Sequence, residues 1–558
     1  MKTASRDLAW LLVATLVILG SGLGLKDPWP PDAPRFALIA RDMLASGDWL
    51  IPRVGGVIYA DKPPLFMWLQ ASAIWLTGSL RAGYLLPALV SGLGTMWLVH
   101  DLARRLWGRE AALSAAIVLL ATLQFPLTFK AGQIDPLLCF WSTLSLYGLL
   151  RHLLLGPHWG WYAGGFFAAG LGVITKGVGF LPLLVLVPWL LTVRRGLQVP
   201  PAGGIAHWVL GPVAFLVAIG IWLVPLLVHI AGSGDAELLA YRDEILFRQT
   251  IERYASPWGH HQPPWYFLVE VIPLLWFPTV LLLPWLLSCW RKSISNGDTA
   301  ILLLLAWIVL VVLFFSISAG KRGVYILPAV PALALAAGHC LPALFRRGLL
   351  NRLALAAFSL VIIVLAVMYL GPPFGVLDTA GQNAVVYQYV AGSWVVVALF
   401  LLAIFRFRRA VAAWVVFSLI VWTTAGWLVI PLANEKRSGR QILPAAEAAL
   451  EKGQTLGLLQ WKEQFLIYAQ RPLVHFGYRR KAKTNPDREA ARWLGSRSSH
   501  RLLLTDQDFE TCFSPDGAVP LGYVHRRTWY LVGPDSVQSD CGGFNDSDDA
   551  IQYHPPAD

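Results

Sequence analysis

Apolar runs of about 18–22 residues recur along this chain as far as about residue 430, each long enough as a helix to cross the ~30 Å hydrocarbon layer. No polar linker of the kind that joins soluble domains interrupts them before about residue 431. Only 14% of residues are charged and 56% are hydrophobic, whereas ordinary soluble domains carry about 25% charged residues. Soluble, disordered, fibrous and disulfide-framework proteins are excluded. The pattern predicts an all-α polytopic membrane protein.

The runs fall near 8–25, 82–103, 111–128, 136–153, 159–175, 178–193, 206–230, 265–289, 299–317, 324–344, 353–371, 387–405 and 411–430, about thirteen transmembrane helices. Alternate connections are basic: Arg104, Arg105 and Arg109; Arg151; Arg194 and Arg195; Arg291 and Lys292; Arg346, Arg347 and Arg352; Arg406, Arg408 and Arg409. The positive-inside bias places them, and the N-terminus behind Lys2 and Arg6, in the cytoplasm. An odd number of spans then puts everything after about residue 430 outside. The first run is expected to stay as an anchor, because it lacks an A-x-A cleavage site and is long for a signal peptide. The net charge of +12 is spent on these short loops, which argues against a nucleic-acid partner.

Two outer segments are long enough to hold structure. In residues 26–80, two helical patterns (32–47 and 64–78) are too short to span and read as interfacial helices, with Trp68 and Trp75 as anchors. The loop 231–264 collects Arg242, Asp243, Glu244, Arg248, Glu252, Arg253, His260 and His261. Residues 1–430 thus form the transmembrane domain. Alternating helix-like and strand-like stretches over 431–535 predict a small C-terminal periplasmic α/β domain. The acidic tail 536–558 reads as disordered. Cys139, Cys289 and Cys340 are expected to be small packing residues. Cys512 and Cys541 are the only pair in the oxidising outer compartment. They either bridge a loop of about 30 residues or remain two thiols.

Ion-coupled transporters keep ionisable residues near the bilayer midplane, and here the main acid inside a span, Glu270, lies close to the outer end. Polar residues gather instead at the outer boundary, which suits a lipid-borne substrate with its headgroup outside. Asp32 and Asp135 are isolated acids there, open either to glycosyl-transfer chemistry or to a helix-cap role. Arg35, one turn after Asp32, could orient it or hold an anion. In Tyr59-Ala60-Asp61-Lys62-Pro63-Pro64, the proline keeps Lys62 out of a helix. Its ammonium therefore sits at a rigid corner, as a phosphate-binding point charge or a snorkelling anchor. Lys176 and Lys321 lie on outer connections against the charge trend, which points to anionic partners. Asp61, His260 and His261 could share a divalent metal, although adjacent loop histidines carry little weight. No phosphate-cradling glycine motif and no zinc spacing occurs, so a nucleotide cofactor finds no support.

These motifs in this order resemble the GT-C membrane glycosyltransferases. The resemblance is strongest to the bacterial branch related to protein O-mannosyltransferases, which includes lipid A aminoarabinose transferases. It rests on Asp32-x-x-Arg35, Asp61-Lys62-Pro63-Pro64-Leu65, Asp135, Thr175-Lys176-Gly177, His261-Gln262-Pro263-Pro264-Trp265-Tyr266 and Lys321 to Tyr325, across roughly residues 1–430. The chain departs from it at Ala33, where the family usually has Glu, and at Lys321-Arg322-Gly323, where Lys-Leu-Pro is common. The resemblance implies transfer of a sugar from a polyprenyl-phosphate donor to a periplasmic-side acceptor, most simply a lipid A phosphate, at the bacterial inner membrane without a required cofactor. It implies Asp32 and Asp135 as catalytic residues, and Lys62, Arg35, Arg253, Tyr59, Lys176, Lys321 and Tyr325 as substrate-binding ones. Protein O-mannosyl transfer, other envelope glycosyl transfer and a lipid flippase are the alternatives. A flippase would call for midplane charge or paired broken helices, and neither is evident in the sequence.

Overall fold

The computed structural model describes residues 2–246, 261–346, 348–370, 383–406, 409–459, 463–476, 486–541 and 550–556. The chain divides into two compact units, one of residues 1–22, 61–65 and 85–429, the other of 23–60, 66–84 and 430–558. The expected boundary near residue 430 is therefore only half of the division. The outer segment after the first helix clusters with the C-terminal region, not with the transmembrane domain.

The first unit is mainly helical over its described apolar stretches. Among the described residues, eight helices are long and apolar enough to cross a membrane: Leu80–Trp107, Asp135–Leu154, Ile205–Ser233, Thr299–Ile317, Gly323–Arg346, Leu349–Leu370, Val385–Phe405 and Ala410–Arg437. A ninth candidate is the pair Phe267–Leu275 and Thr279–Ser295, bent by 104°. The other four expected stretches are helical too: α1 (Lys2–Gly20), Arg109–Ala121 followed by Gln124–Phe129, Trp159–Lys176, and the shorter Leu181–Arg194.

Without a hydrophobic drive between helices in lipid, close approach depends on small residues. The Arg109–Ala121 helix packs Ala111, Ala112, Ala115 and Ala116, all buried, and a Cβ on the facing Gly338 would lie 2.6 Å from Ala115. Likewise a Cβ on Gly148 would meet the Trp161 carbonyl at 2.4 Å. Cys289 and Cys340, expected to be separate packers, instead form a disulfide with Cα atoms 6.2 Å apart.

Two helix breaks meet inside this unit, and the meeting answers a physical demand. Broken backbone at membrane depth is tolerated only where protein groups satisfy it. Pro278, which cannot donate to the preceding turn, ends one helix, and Thr122 ends another. The Leu123 amide donates to the Phe277 carbonyl (3.0 Å), and the Thr122 and Thr279 hydroxyls pair at 2.8 Å. Gln124, fully buried, accepts from the Trp276 indole at 2.8 Å and donates to the Gly323 carbonyl at 2.8 Å. Gln124→Leu would strand both partners, so it should destabilise the protein by about 2–4 kcal/mol. A thermal midpoint unchanged from wild type in detergent would contradict this. A further buried group, Lys130, donates to the Ile18 carbonyl (2.8 Å) and the Ser21 carbonyl (2.6 Å), closing the end of α1.

The second unit carries a short antiparallel pair, β1 (Arg53–Val54) with β2 (Val57–Ile58), and a six-stranded mixed sheet in the order β6 (Val519–Val524), β7 (Arg527–Val532), β5 (His500–Thr505), β3 (Thr455–Leu458), β4 (Leu473–His475), β8 (Ile551–Tyr553). Strand β3 is parallel to both β4 and β5, and the other pairings are antiparallel. Trp493, Leu502, Leu504, Phe513 and Val532 fill the core on one side. The tail, expected to be disordered, supplies β8, whose Tyr553 pairs with Leu473 of β4. Cys512 and Cys541 are bridged, with Cα atoms 5.6 Å apart.

The two short helices of the outer segment are present as α2 (Ala33–Ser46) and α3 (Leu65–Thr77). Helix α2 buries Phe36, Ala37, Ile39, Ala40 and Met43 and ends at Gly47, whose φ of 73° a side chain would strain. On α3, Trp75 is 70% exposed, as an interfacial anchor should be. Trp68 differs from the expectation: its indole donates to the Trp49 carbonyl. Asn434 fastens the start of the segment, accepting from the Asp27 amide and the Trp29 indole and donating to the Leu25 carbonyl.

Candidate functional site

In the first unit, three of the residues singled out in the sequence come together. Asp135 opens the Asp135–Leu154 helix, and Lys176 closes the Trp159–Lys176 helix, where Gly177 takes a φ of 75° that lets the chain turn away. The Lys176 ammonium contacts the Asp135 carboxylate at 2.5 Å and lies 4.6 Å from the centre of the Tyr325 ring. Both members of the ion pair are nearly dry, with side chains 13% and 3% exposed. Such a desolvated pair with a ring over its cation has a fixed geometry and little net charge. It is suited to orienting a polar substrate rather than to accepting a proton. The Tyr325 turn is held by Gln124 through the Gly323 carbonyl, a link that spacing along the chain could not reveal.

Lys62 follows the expected non-helical corner, and its ammonium reaches the carbonyl of Asp61 at 2.9 Å. Lys321, a substrate-binding candidate on an outer connection, is enclosed by its own loop and a neighbouring one. It is 3% exposed and donates to the Gln262 carbonyl at 2.8 Å, while its loop pairs with the neighbouring segment through a His261–Gly320 bridge. Its charge fastens two loops together. Among the described residues, no group of three His, Cys, Asp or Glu side chains is arranged to hold a metal ion. Of the residues considered for a metal, His260 lies outside the described residues, as does Arg253.

In the second unit, Asp32 stands at the N-cap position of α2, yet its side chain makes no cap hydrogen bond. Arg35 has one guanidinium nitrogen 3.9 Å from the Asp32 carboxylate, and its Nε donates to Glu463 Oε1 at 2.7 Å. Tyr59 belongs to the core of this unit, 2% exposed and edge-on to Phe36.

Farther along α2, Arg41 donates to the Ile467 carbonyl (2.6 Å) and to the Tyr553 hydroxyl, which donates to Asp42 at 3.0 Å. Burial pushes the Asp42 carboxyl up to about 6 from its ordinary 3.8, outweighing Arg41 and Tyr553, which pull it down. The folded state then holds this proton more tightly than the unfolded chain does. The contribution of Asp42 to stability should fall as pH rises from about 4 to about 6, by on the order of 2 kcal/mol. Asp42→Asn should flatten that part of the stability profile, measured as the thermal midpoint against pH. An unchanged slope would contradict the assignment.

A family profile described as dolichyl-phosphate-mannose-protein mannosyltransferase matches residues 61–223, the stretch that carries Lys62, Asp135 and Lys176. The fold is similar to the crystal structure of ArnT from Cupriavidus metallidurans bound to undecaprenyl phosphate, with a TM-score of 0.75, 22% identity, and coverage of 97% of this chain and 99% of that one. The fold is that of a polytopic membrane protein of the GT-C type. At the level of sequence, the chain is 31% identical over 425 residues to the undecaprenyl phosphate-alpha-4-amino-4-deoxy-L-arabinose arabinosyl transferase of Pseudomonas paraeruginosa, covering 73% of this chain and 72% of the relative. It is 33% identical over 351 residues to the enzyme of that name from Pseudomonas aeruginosa PAO1, covering 61% of this chain and 60% of the relative. The chain belongs to the undecaprenyl phosphate-aminoarabinose arabinosyl transferase family.

Proposed function

We propose that the protein transfers 4-amino-4-deoxy-L-arabinose from undecaprenyl phosphate to a phosphate group of lipid A. The transfer takes place on the periplasmic side of the bacterial inner membrane, with the N-terminus cytoplasmic and the second unit periplasmic. The observation that carries this reading is the family membership, at 31% identity over 425 residues. The basic connections of the first unit support the orientation.

In this reading an acceptor phosphate oxygen attacks the anomeric carbon of the sugar. The bond from that carbon to the donor phosphate oxygen breaks, and its electron pair leaves on undecaprenyl phosphate. Lys62 neutralises the charge gathering on the leaving phosphate, the contribution expected of a fixed cation near a developing anion. The paired Asp135 and Lys176, with Tyr325, orient the sugar. Asp32 stabilises positive charge as the anomeric carbon becomes oxocarbenium-like, and Arg35 contacts a phosphate. A phosphate acceptor is anionic near neutral pH and needs no general base. A hydroxyl acceptor would need one, and Asp32 would serve.

The test is the mass spectrum of lipid A from cells with and without the active protein. A species heavier by one aminoarabinose residue should depend on the protein. Identical lipid A spectra in both strains would contradict the assignment of donor and acceptor.

A further inference from the structure

Tyr325 is carried over the Lys176 ammonium by a tight turn, Gly323–Ala329, that is fastened from both ends. At its far end the Trp307 indole donates to the Pro328 carbonyl at 3.2 Å, which ties the turn to the Thr299–Ile317 helix. At its near end, two residues before Tyr325, the Gly323 carbonyl accepts from the Gln124 amide at 2.8 Å, across 199 residues of sequence. Between the two, the Tyr325 amide donates to the Arg322 carbonyl at 3.0 Å.

The direction in which the Gln124 amide faces is set by its other partner. An indole N–H can only donate, so the Trp276 indole, 2.8 Å away, holds the amide oxygen and leaves the NH2 group for Gly323. Gln124 is fully buried, so neither end of the amide can turn to water instead. On its other side the turn lies close against the bent pair of helices: a Cβ on Gly323 would stand 3.3 Å from Leu275 Cδ1. Gln124 therefore locks the Tyr325 turn to the break in that pair.

The Tyr325 ring has little latitude. Its centre lies 4.6 Å from the Lys176 ammonium, and the attraction between a cation and a ring fades beyond about 6 Å, so a shift of the turn by about 1–2 Å ends the contact. The Asp135 carboxylate would still hold the ammonium at 2.5 Å. What would be lost is the third member of the group and the fixed wall that it gives a substrate.

We infer that Gln124 is a positioning residue for sugar transfer: by holding the Gly323 carbonyl it keeps Tyr325 over Lys176, and so sets the geometry of Asp135, Lys176 and Tyr325. The inference rests on the sugar-orienting role proposed above for those three residues.

The experiment is a mutant cycle in full-length protein reconstituted in vesicles, with an undecaprenyl-phosphate-linked aminoarabinose donor and each variant assayed below its own thermal midpoint. Gln124→Leu should lower kcat/KM for the donor about tenfold, within the range by which displacing a substrate-positioning group slows enzymes. Trp276→Phe, which frees the amide to turn but leaves it in place, should lower it less, by about threefold. In a Tyr325→Leu background, where no ring remains to be placed, neither change should reduce the rate further, although each should still lower the thermal midpoint. A clamp that serves the fold alone would reduce the rate by the same factor in both backgrounds. That result for Gln124→Leu, or wild-type kinetics for it, would overturn the inference. Should Gln124→Leu fail to fold, an equal loss in the two backgrounds for Trp276→Phe would overturn it in the same way. Wild-type kinetics for Tyr325→Leu would instead overturn the reading of the site on which it rests.

Discussion

Lys62→Ala should abolish sugar transfer while leaving the protein folded and inserted. The physical case begins with the two prolines that follow it. Pro63 removes the helical option for Lys62, and the residue stands in a non-helical corner before α3. Its ammonium donates to the Asp61 carbonyl at 2.9 Å, which fixes the head of the side chain. A fixed cation beside a departing phosphate acts on charge that exists only as the reaction proceeds. Its loss should therefore appear in kcat, by at least about 10²-fold, rather than in folding. Arginine at this position should restore part of the rate, since the charge returns on a different stem. Turnover of the lipid-linked donor by Lys62→Ala at the wild-type rate would sink the assignment.

A loss of similar size is expected at Asp135, with a different signature. Asp135→Asn keeps the shape of the side chain but leaves the Lys176 ammonium almost dry without its counter-charge. Breaking a buried pair from one side costs about 3–5 kcal/mol, so both the thermal midpoint and the rate should fall, the rate by at least about 10²-fold. Removing both charges, in Asp135→Asn with Lys176→Met, should recover most of the stability and none of the activity. Recovery of activity in the double variant would show that the pair serves only to hold the helices.

How much of this could be read in the sequence depends on whether the governing interaction is local. Apolar length is local, and each of the thirteen apolar stretches contains helix where described. The alternation of helix and strand after residue 431 is local as well, and a mixed sheet is there. Asp135, Lys176 and Tyr325 were legible one by one, as odd charges and motif positions on the outer side. Their pairing was not, because it joins the ends of two helices 41 residues apart to a third element, at Tyr325, much farther along the chain. The outer position of Lys321 is legible in the chain, whereas its bond to the Gln262 carbonyl, which joins two loops 59 residues apart, is not. The tail misled through its composition: its glycine and aspartate content suggests disorder, yet Ile551–Tyr553 pairs with β4. Glu463 carries no local signal at all, since its partner lies 428 residues away.

The central claim is that this chain moves aminoarabinose from undecaprenyl phosphate to lipid A. The most direct measurement is mass spectrometry of lipid A after incubation with purified protein and the synthetic lipid-linked sugar, with no nucleotide added. Addition of one aminoarabinose residue to a lipid A phosphate by wild type, and none by Lys62→Ala, is the predicted result. Lipid A that stays unmodified by folded wild-type protein, with the donor intact, would contradict the account.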